Sequence, residues 1–268
     1  MSDYALRLSE PEVLRYRMMA AKARETESEQ WALAGIAPGA RVADVGCGPG
    51  AALVAMAEVV GPDGSVVGVD ADPGAIKLAN DMIAASGVAN ATARVGPADD
   101  TGLEPGGVDV AVMRHVLAHN GGREQAIVDH LASLVRPGGR VYLVDAELTA
   151  MRSVGLPPEL QELSDRYLAY QSSRGNDMQI GLRLGQLLAG AGLELLAYRG
   201  EYAILPAPPG MRPPPWAARA AMVAAGFATE DEVAAWGTAF ETLDACPDRP
   251  TLFLPGFTAV GRRPHHVG

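Results

Sequence analysis

Two apolar rhythms alternate along this chain, and each predicts its own kind of element. Val42-Ala43-Asp44-Val45 and Ser65 to Asp70 are short β-branched runs bounded by turn residues, the pattern of buried strands. Between them Ala51 to Val60 is apolar nearly all round, as suits a helix held between a sheet and other helices, and Gly61-Pro62-Asp63-Gly64 ends it. Asp72 then reads as the N-cap of a helix with Pro73 in its first turn. Pro158 to Ser172 places Leu160, Leu163, Tyr167 and Tyr170 at steps of three and four, and Asn176 to Gly192 reads as a further helix. Leu193 to Leu205 and Thr251 to Arg262 read as strands. The proline-rich turn Pro206 to Pro215 and a helical stretch from Trp216 to about Ala245 separate them. At the start of the chain, Glu10 to Leu33 is helical in pattern, with Val13, Tyr16, Met19 and Ala20 on one face.

The turn after the first strand concentrates the chemistry. Gly46, Gly48 and Gly50 stand at alternate positions in Gly46-Cys47-Gly48-Pro49-Gly50, where the missing Cβ atoms permit a sharp turn and bring backbone N–H groups against a ligand. Asp70, at the carboxyl end of the second strand, can accept hydrogen bonds from both hydroxyls of a ribose. The unit fits two kinds of nucleotide. Gly46, Gly48 and Ala51 satisfy the G-x-G-x-x-G/A pattern, which with Asp70 reads equally as the dinucleotide site of an NAD(P)-dependent oxidoreductase. Asp44 argues against it, because a dinucleotide fold normally buries an apolar side chain there and an ionised carboxylate needs a partner.

Asp44-x-Gly46-x-Gly48-x-Gly50 resembles motif I of the class I S-adenosylmethionine-dependent methyltransferases, and the resemblance continues in order along residues 35 to 146. Asp72-Pro73 opens the next helix. Gly96-Pro97-Ala98-Asp99-Asp100 is similar to the loop after strand 3, Val108 to Leu117 to strand 4 and its exit, and Arg136-Pro137-Gly138-Gly139 through Asp145 to the turn into strand 5. The branch it resembles contains quinone-biosynthesis and natural-product methyltransferases. The resemblance implies an α/β fold, a three-layer Rossmann-like seven-stranded sheet, mostly parallel with the last strand antiparallel, carrying helical cap insertions. It gives Gly46, Gly48 and Gly50 the methionine part of S-adenosylmethionine, Asp70 the ribose, Ala71 a place beside the adenine, and the Arg114 carbonyl the cofactor's ammonium group. Many relatives have Gly-Asp-Ala where this chain has Gly96-Pro97-Ala98, so the adenine contact falls to Asp99, to Asp100 or to the Ala98 backbone.

Residues 1–34 then form an N-terminal helical cap, and residues 35–268 the methyltransferase domain, with helical insertions at about 146–175 and 206–248 on the ligand side of the sheet. In this family an N-terminal helix commonly folds over the cofactor, which brings Tyr16 and Met19 toward the pocket. A sulfonium methyl is already activated, so the protein has to align a nucleophile, exclude water and keep the nucleophile unprotonated, with no metal. A histidine suits a general base for a phenol, enol or acid, and His115 and His119 stand at the strand 4 exit, with Asp145 and Glu147 at the strand 5 exit as further candidates. A carbon acceptor or an ionised oxygen needs no base. A fold that keeps the cofactor pocket without methyl transfer, as a cyclase or a binding subunit, has the same sequence features.

Composition narrows the acceptor. The net charge of −10, with Lys22 and Lys77 as the only lysines, disfavours a nucleic-acid partner. Hydrophobic residues make up 48% of the chain, enough for a sizeable core, and the ten methionines suit an adaptable apolar pocket, so the expected acceptor is a small, largely apolar metabolite. Richness in Ala, Arg and Gly with almost no Lys is typical of a GC-rich genome, which associates the chain with secondary metabolism. Cys47 and Cys246 show neither disulfide nor metal spacing, and no segment approaches the roughly 18 apolar residues of a membrane span, so a cytoplasmic location is expected. Apolar stripes on the capping helices could be covered in a homodimer.

Overall fold

The computed structural model describes residues 27–265. The elements follow in the order α1 (Ser28–Ala34), β1 (Arg41–Val45), α2 (Ala51–Val60), β2 (Ser65–Asp70), α3 (Pro73–Ser86), β3 (Ala91–Val95), β4 (Val108–Arg114), α4 (Glu124–Leu134) and β5 (Val135–Ala146). Then come β6 (Arg152–Val154), α5 (Pro158–Ser173), α6 (Leu184–Gly190), β7 (Glu194–Pro206), α7 (Pro214–Ala217), α8 (Arg219–Ala224), α9 (Glu230–Ala245) and β8 (Thr251–Arg262). The strands form one sheet in the order β3-β2-β1-β4-β5-β8, with β6 and β7 both paired to β8. β1 to β5 run parallel and β8 runs antiparallel to β5, β6 and β7, as the resemblance implied.

Alternation along the central strands builds three layers. Val42, Val112, Tyr142 and Val144 point to one face, where Trp31 of α1, Leu53 and Met56 of α2 and Ile76 of α3 cover them. Ala43, Ala111, Met113, Val141 and Leu143 point to the other, under Ile127 and Leu131 of α4 and Leu184 and Leu188 of α6. Strands buried on both faces must be continuous apolar runs, which is why these segments were legible without alternation of polar residues.

Local signals set the boundaries. The Asp72 carboxylate accepts the Gly74 N–H at 2.8 Å and Pro73 occupies the first turn of α3. The Arg136-Pro137-Gly138-Gly139 segment loops out of β5: Val108 pairs with Val135 but Val110 pairs with Arg140, and Arg136 is tied to Asp109 at 2.6 Å. The insertions depart from the expected simple helices. The first adds the short strand β6, an eighth strand the pattern did not reveal. In the second, the stretch read as helical from Trp216 is three helices, the last starting at a capping box between Thr229 and Glu232. Ile180–Arg183 is a 3-10 turn leading into α6. Of the N-terminal helical reading, Ser28–Ala34 is helix, and the residues before Glu27, including Tyr16 and Met19, lie outside the described part of the chain.

Candidate functional site

The carboxyl ends of β1, β2, β4 and β5 meet on one side of the sheet, at the switch point where the chain order reverses between β1 and β4. Gly46, Gly48 and Gly50 all take positive φ there, at 78°, 53° and 82°. A Cβ on Gly46 would overlap the Val116 side chain, and one on Gly50 would sit 2.9 Å from the Ala79 Cβ, so the turn is closed to larger residues by space as well as conformation. Asp70 fixes the turn from below, its carboxylate accepting the N–H groups of Gly48 and Asp72, each at 2.9 Å. Burial raises the Asp70 pKa, and those N–H bonds oppose the rise. Cys47 is buried within the turn, and burial pushes its thiol up, away from nucleophilic chemistry.

Asp44 sits beneath the cradle, 2% exposed, and its Oδ2 has no hydrogen-bond partner among the described residues. Burial pushes its pKa up to about 7, with Arg114 pulling the other way. Buried carboxylate oxygens are normally hydrogen-bonded, so this one has capacity for a partner from outside the protein. Arg114, the last residue of β4, does not bond it. Its guanidinium grips Glu27, the residue before α1, through Nη1 and through Nη2 at 3.1 Å, and the Tyr142 hydroxyl donates to the same carboxylate at 2.6 Å. Burial would raise the Glu27 pKa, but Arg114 and the hydrogen bonds from Arg114 and Tyr142 outweigh it and hold the carboxyl below the usual range. Glu27 is therefore bolted to two strands, to β4 through Arg114 and to β5 through Tyr142. Nothing local in the sequence marks Glu27 or Tyr142, because they lie 87 residues before Arg114 and 115 residues after Glu27 respectively.

The strand 4 exit is strained and braced. His115 has φ 56°, the one non-glycine residue with positive φ among those described, and its N–H donates to the Val144 carbonyl at 2.8 Å. His119 ends the 3-10 turn Leu117–His119 directly after it. Asp145 serves this turn: its carboxylate accepts the Ala118 N–H at 3.3 Å and the Ala146 N–H at 2.9 Å, and burial lifts its pKa to about 7 against those bonds. Beyond it, a Cβ on Gly121 would overlap the Gly175 carbonyl, so the exit loop lies flush against the end of α5, and the Gly121 N–H donates to Asn176 at 3.3 Å. Glu147, the other strand 5 acid, is buried and accepts the Thr149 N–H at 3.0 Å and the Thr149 hydroxyl.

The remaining expected positions are less enclosed. Ala71 is exposed beside Asp70, Ala98 packs partly against the core, and Asp99 forms a surface ion pair with Arg123 at 2.5 Å, which holds its carboxyl below the ordinary range. His130 is a bracing residue, its Nε2 within 2.8 Å of the Thr101 hydroxyl. The two insertions pack against each other: Arg166 of α5 meets Glu232 of α9 at 2.7 Å, and Tyr170 meets Phe227 edge-on at 5.6 Å.

Such a mouth defines a doubly wound nucleotide-binding α/β domain with a buried acid facing its glycine turn. A family model described as a methyltransferase domain matches residues 36–187, more than half of the chain. The chain belongs to this family, the class I S-adenosylmethionine-dependent methyltransferases, and the dinucleotide reading of the glycines gives way to it. Arsenite methyltransferase of Halobacterium salinarum is 34% identical over 119 residues, covering 44% of this chain and 30% of that protein. Ubiquinone biosynthesis O-methyltransferase of Cupriavidus pinatubonensis is 32% identical over 172 residues, covering 63% of this chain and 65% of that protein. The chain thus spans less than two thirds of the length of either relative. A solved SAM-dependent methyltransferase from Aquifex aeolicus shares the fold, with TM-score 0.56 at 14% identity over 96% of this chain and all of that one. Among the described residues, no helix is long and apolar enough to cross a membrane.

Proposed function

We propose that this chain transfers a methyl group from S-adenosylmethionine to an oxygen or carbon of a small, largely apolar metabolite, in secondary metabolism. The observation that carries the reading is Asp44, a buried carboxylate with an unsatisfied oxygen beneath a cradle only glycine can form. A cationic, nucleoside-bearing ligand answers both features at once. When bound, S-adenosylmethionine supplies a methyl group activated by its sulfonium.

The chain's own residues then have separable tasks. Gly46, Gly48 and Gly50 hold the methionine part, Asp44 and the Arg114 carbonyl face the ammonium, and Asp70 takes the ribose hydroxyls. Ala71 packs beside the adenine, whose amino group falls to Asp99, Asp100 or the Ala98 backbone. The joined insertions keep water from the acceptor, which suits an enclosed small molecule. His115 and His119, on the braced exit of β4, take the acceptor's proton where it has one to lose. Asp145 holds that exit in place through the Ala118 N–H.

Calorimetry tests the binding half: S-adenosylmethionine and S-adenosylhomocysteine should bind wild type and bind Asp44→Asn far more weakly. NADH binding without S-adenosylmethionine binding would overturn the proposal. Release of S-adenosylhomocysteine with a panel of phenols, enols and acids tests the transfer half, and binding without release across the panel would point to a cyclase or binding subunit.

A further inference from the structure

β7 is a 13-residue strand with β8 on one side and, among the described residues, no strand on the other. Long exposed edges are normally blunted by proline, lysine or an irregular path. This one has a proline only at its last position and no lysine. Of the eight large hydrophobic side chains left exposed among the described residues, four are on β7: Leu195, Tyr198, Tyr202 and Ile204. A bulge between Leu195 and Ala197 turns Leu195 onto the face that carries Tyr198, where both approach Gly185 of α6. Alternation puts Tyr202 and Ile204 on that same face, and Arg199, which reaches Glu29 of α1, on the opposite one with Glu201.

The strand reads nearly the same in both directions about Gly200: Ala197-Tyr198-Arg199-Gly200-Glu201-Tyr202-Ala203. We propose that β7 pairs antiparallel with β7 of a second copy of this chain across Gly200, making a two-fold dimer. In that register Arg199 of each copy lies opposite the partner's Glu201, and Tyr198 lies opposite the partner's Tyr202. Ala197 lies opposite the partner's Ala203, and Leu195 and Ile204 come together at each end. A two-fold axis normal to the sheet keeps each face on its own side, so only registers differing by two residues are open. A slip of two one way sets Arg199 against Arg199, and the other way Glu201 against Glu201, both repulsive. Charge therefore selects the Gly200 register. Glu201 has no ion partner among the described residues, and the Arg199 contact with Glu29 is a 3.4 Å pair between side chains more than half exposed, so neither charge is committed elsewhere. The seven paired residues span roughly 24 Å at about 3.4 Å per residue. Antiparallel pairing points the two cradles toward opposite ends of the joined sheet, leaving both mouths open.

Sedimentation equilibrium of the full chain tests the proposal by charge reversal. Wild type should sediment as a dimer. Arg199→Glu and Glu201→Arg should each weaken the dimer at least about tenfold, since each sets like charges opposite at two symmetric places. The double variant Arg199→Glu/Glu201→Arg should restore it, with far-ultraviolet dichroism unchanged throughout. A wild type that stays monomeric at every concentration, a dimer indifferent to both single reversals, or a double variant that remains dissociated would each overturn it.

Discussion

His115 offers the sharpest separation of fold from chemistry. Its φ of 56° lies in the left-handed region, where an L side chain crowds the following carbonyl at about 1–2 kcal/mol. Glycine escapes that crowding but loses more freedom on folding, which costs about 0.5–1 kcal/mol. Replacing His115 by Gly and, separately, by Ala removes the same imidazole, so the difference between the two variants isolates the backbone. The two contributions leave His115→Gly more stable than His115→Ala by about 0.5–1 kcal/mol, or roughly 1–4 °C in melting temperature for a chain of this size. Scanning calorimetry or urea denaturation measures it. Activity should not follow stability. If the imidazole takes the acceptor's proton, both variants lose about 10²-fold or more in kcat, whichever melts higher. His115→Ala melting as high as His115→Gly would refute the strain argument. A His115→Gly variant with wild-type kcat would refute the role of the side chain and leave the proton to His119.

Asp44→Asn should change two pH dependences together. The raised pKa of Asp44 favours folding most below 3.8, and that contribution is lost as pH rises toward about 7, worth up to about 4 kcal/mol. Urea denaturation across that window should show the loss in wild type and a smaller loss in Asp44→Asn, the remainder belonging to Asp145 and Asp70. Wild-type affinity for S-adenosylhomocysteine should rise through the same window as Asp44 ionises, and that of Asp44→Asn should stay flat. Glu27→Gln leaves the Arg114 guanidinium buried without its carboxylate and should cost about 3–5 kcal/mol in denaturation. Adding Arg114→Met should recover part of that loss, and failure to recover would mean the pair is not the source. Gly50→Ala and Gly87→Ala face similar backbone penalties, at φ 82°, ψ 10° and φ 75°, ψ 5°, but only the first meets a neighbour, Ala79. Gly50→Ala should be the less stable by about 1–3 kcal/mol and should lose cofactor binding by calorimetry, and equal melting would refute the steric reading.

What was legible in the sequence was what short-range physics determines. The apolar runs of β1, β2, β5 and β8, the Asp72-Pro73 start of α3 and the three alternate glycines each express their geometry within a few residues. β6 escaped because three residues, two of them polar or charged, hold no pattern of their own and become a strand only by lying against Thr251 to Phe253. The roles of acids at strand ends were harder. Asp145 reads from the sequence as a further candidate base, and its carboxylate braces the β4 exit, a bond that needs both strands in place.

Arg114 shows the same limit with a larger consequence. A pairing of the Arg114 guanidinium at the end of β4 with the buried carboxylate of Asp44 on the adjacent β1 would leave the cradle electrically silent. The fold prevents it by delivering Glu27 from 87 residues earlier, with the Tyr142 hydroxyl behind it, so that Arg114 is saturated by other groups. Asp44 feels the positive charge from a distance, enough to oppose its burial, but receives no hydrogen bond from it. Glu27 thus does more than tie α1 to the sheet. By taking Arg114, it leaves the buried acid available to a cation from outside. Loosening Glu27 should therefore weaken cofactor binding even though Glu27 bonds only to the protein's own side chains.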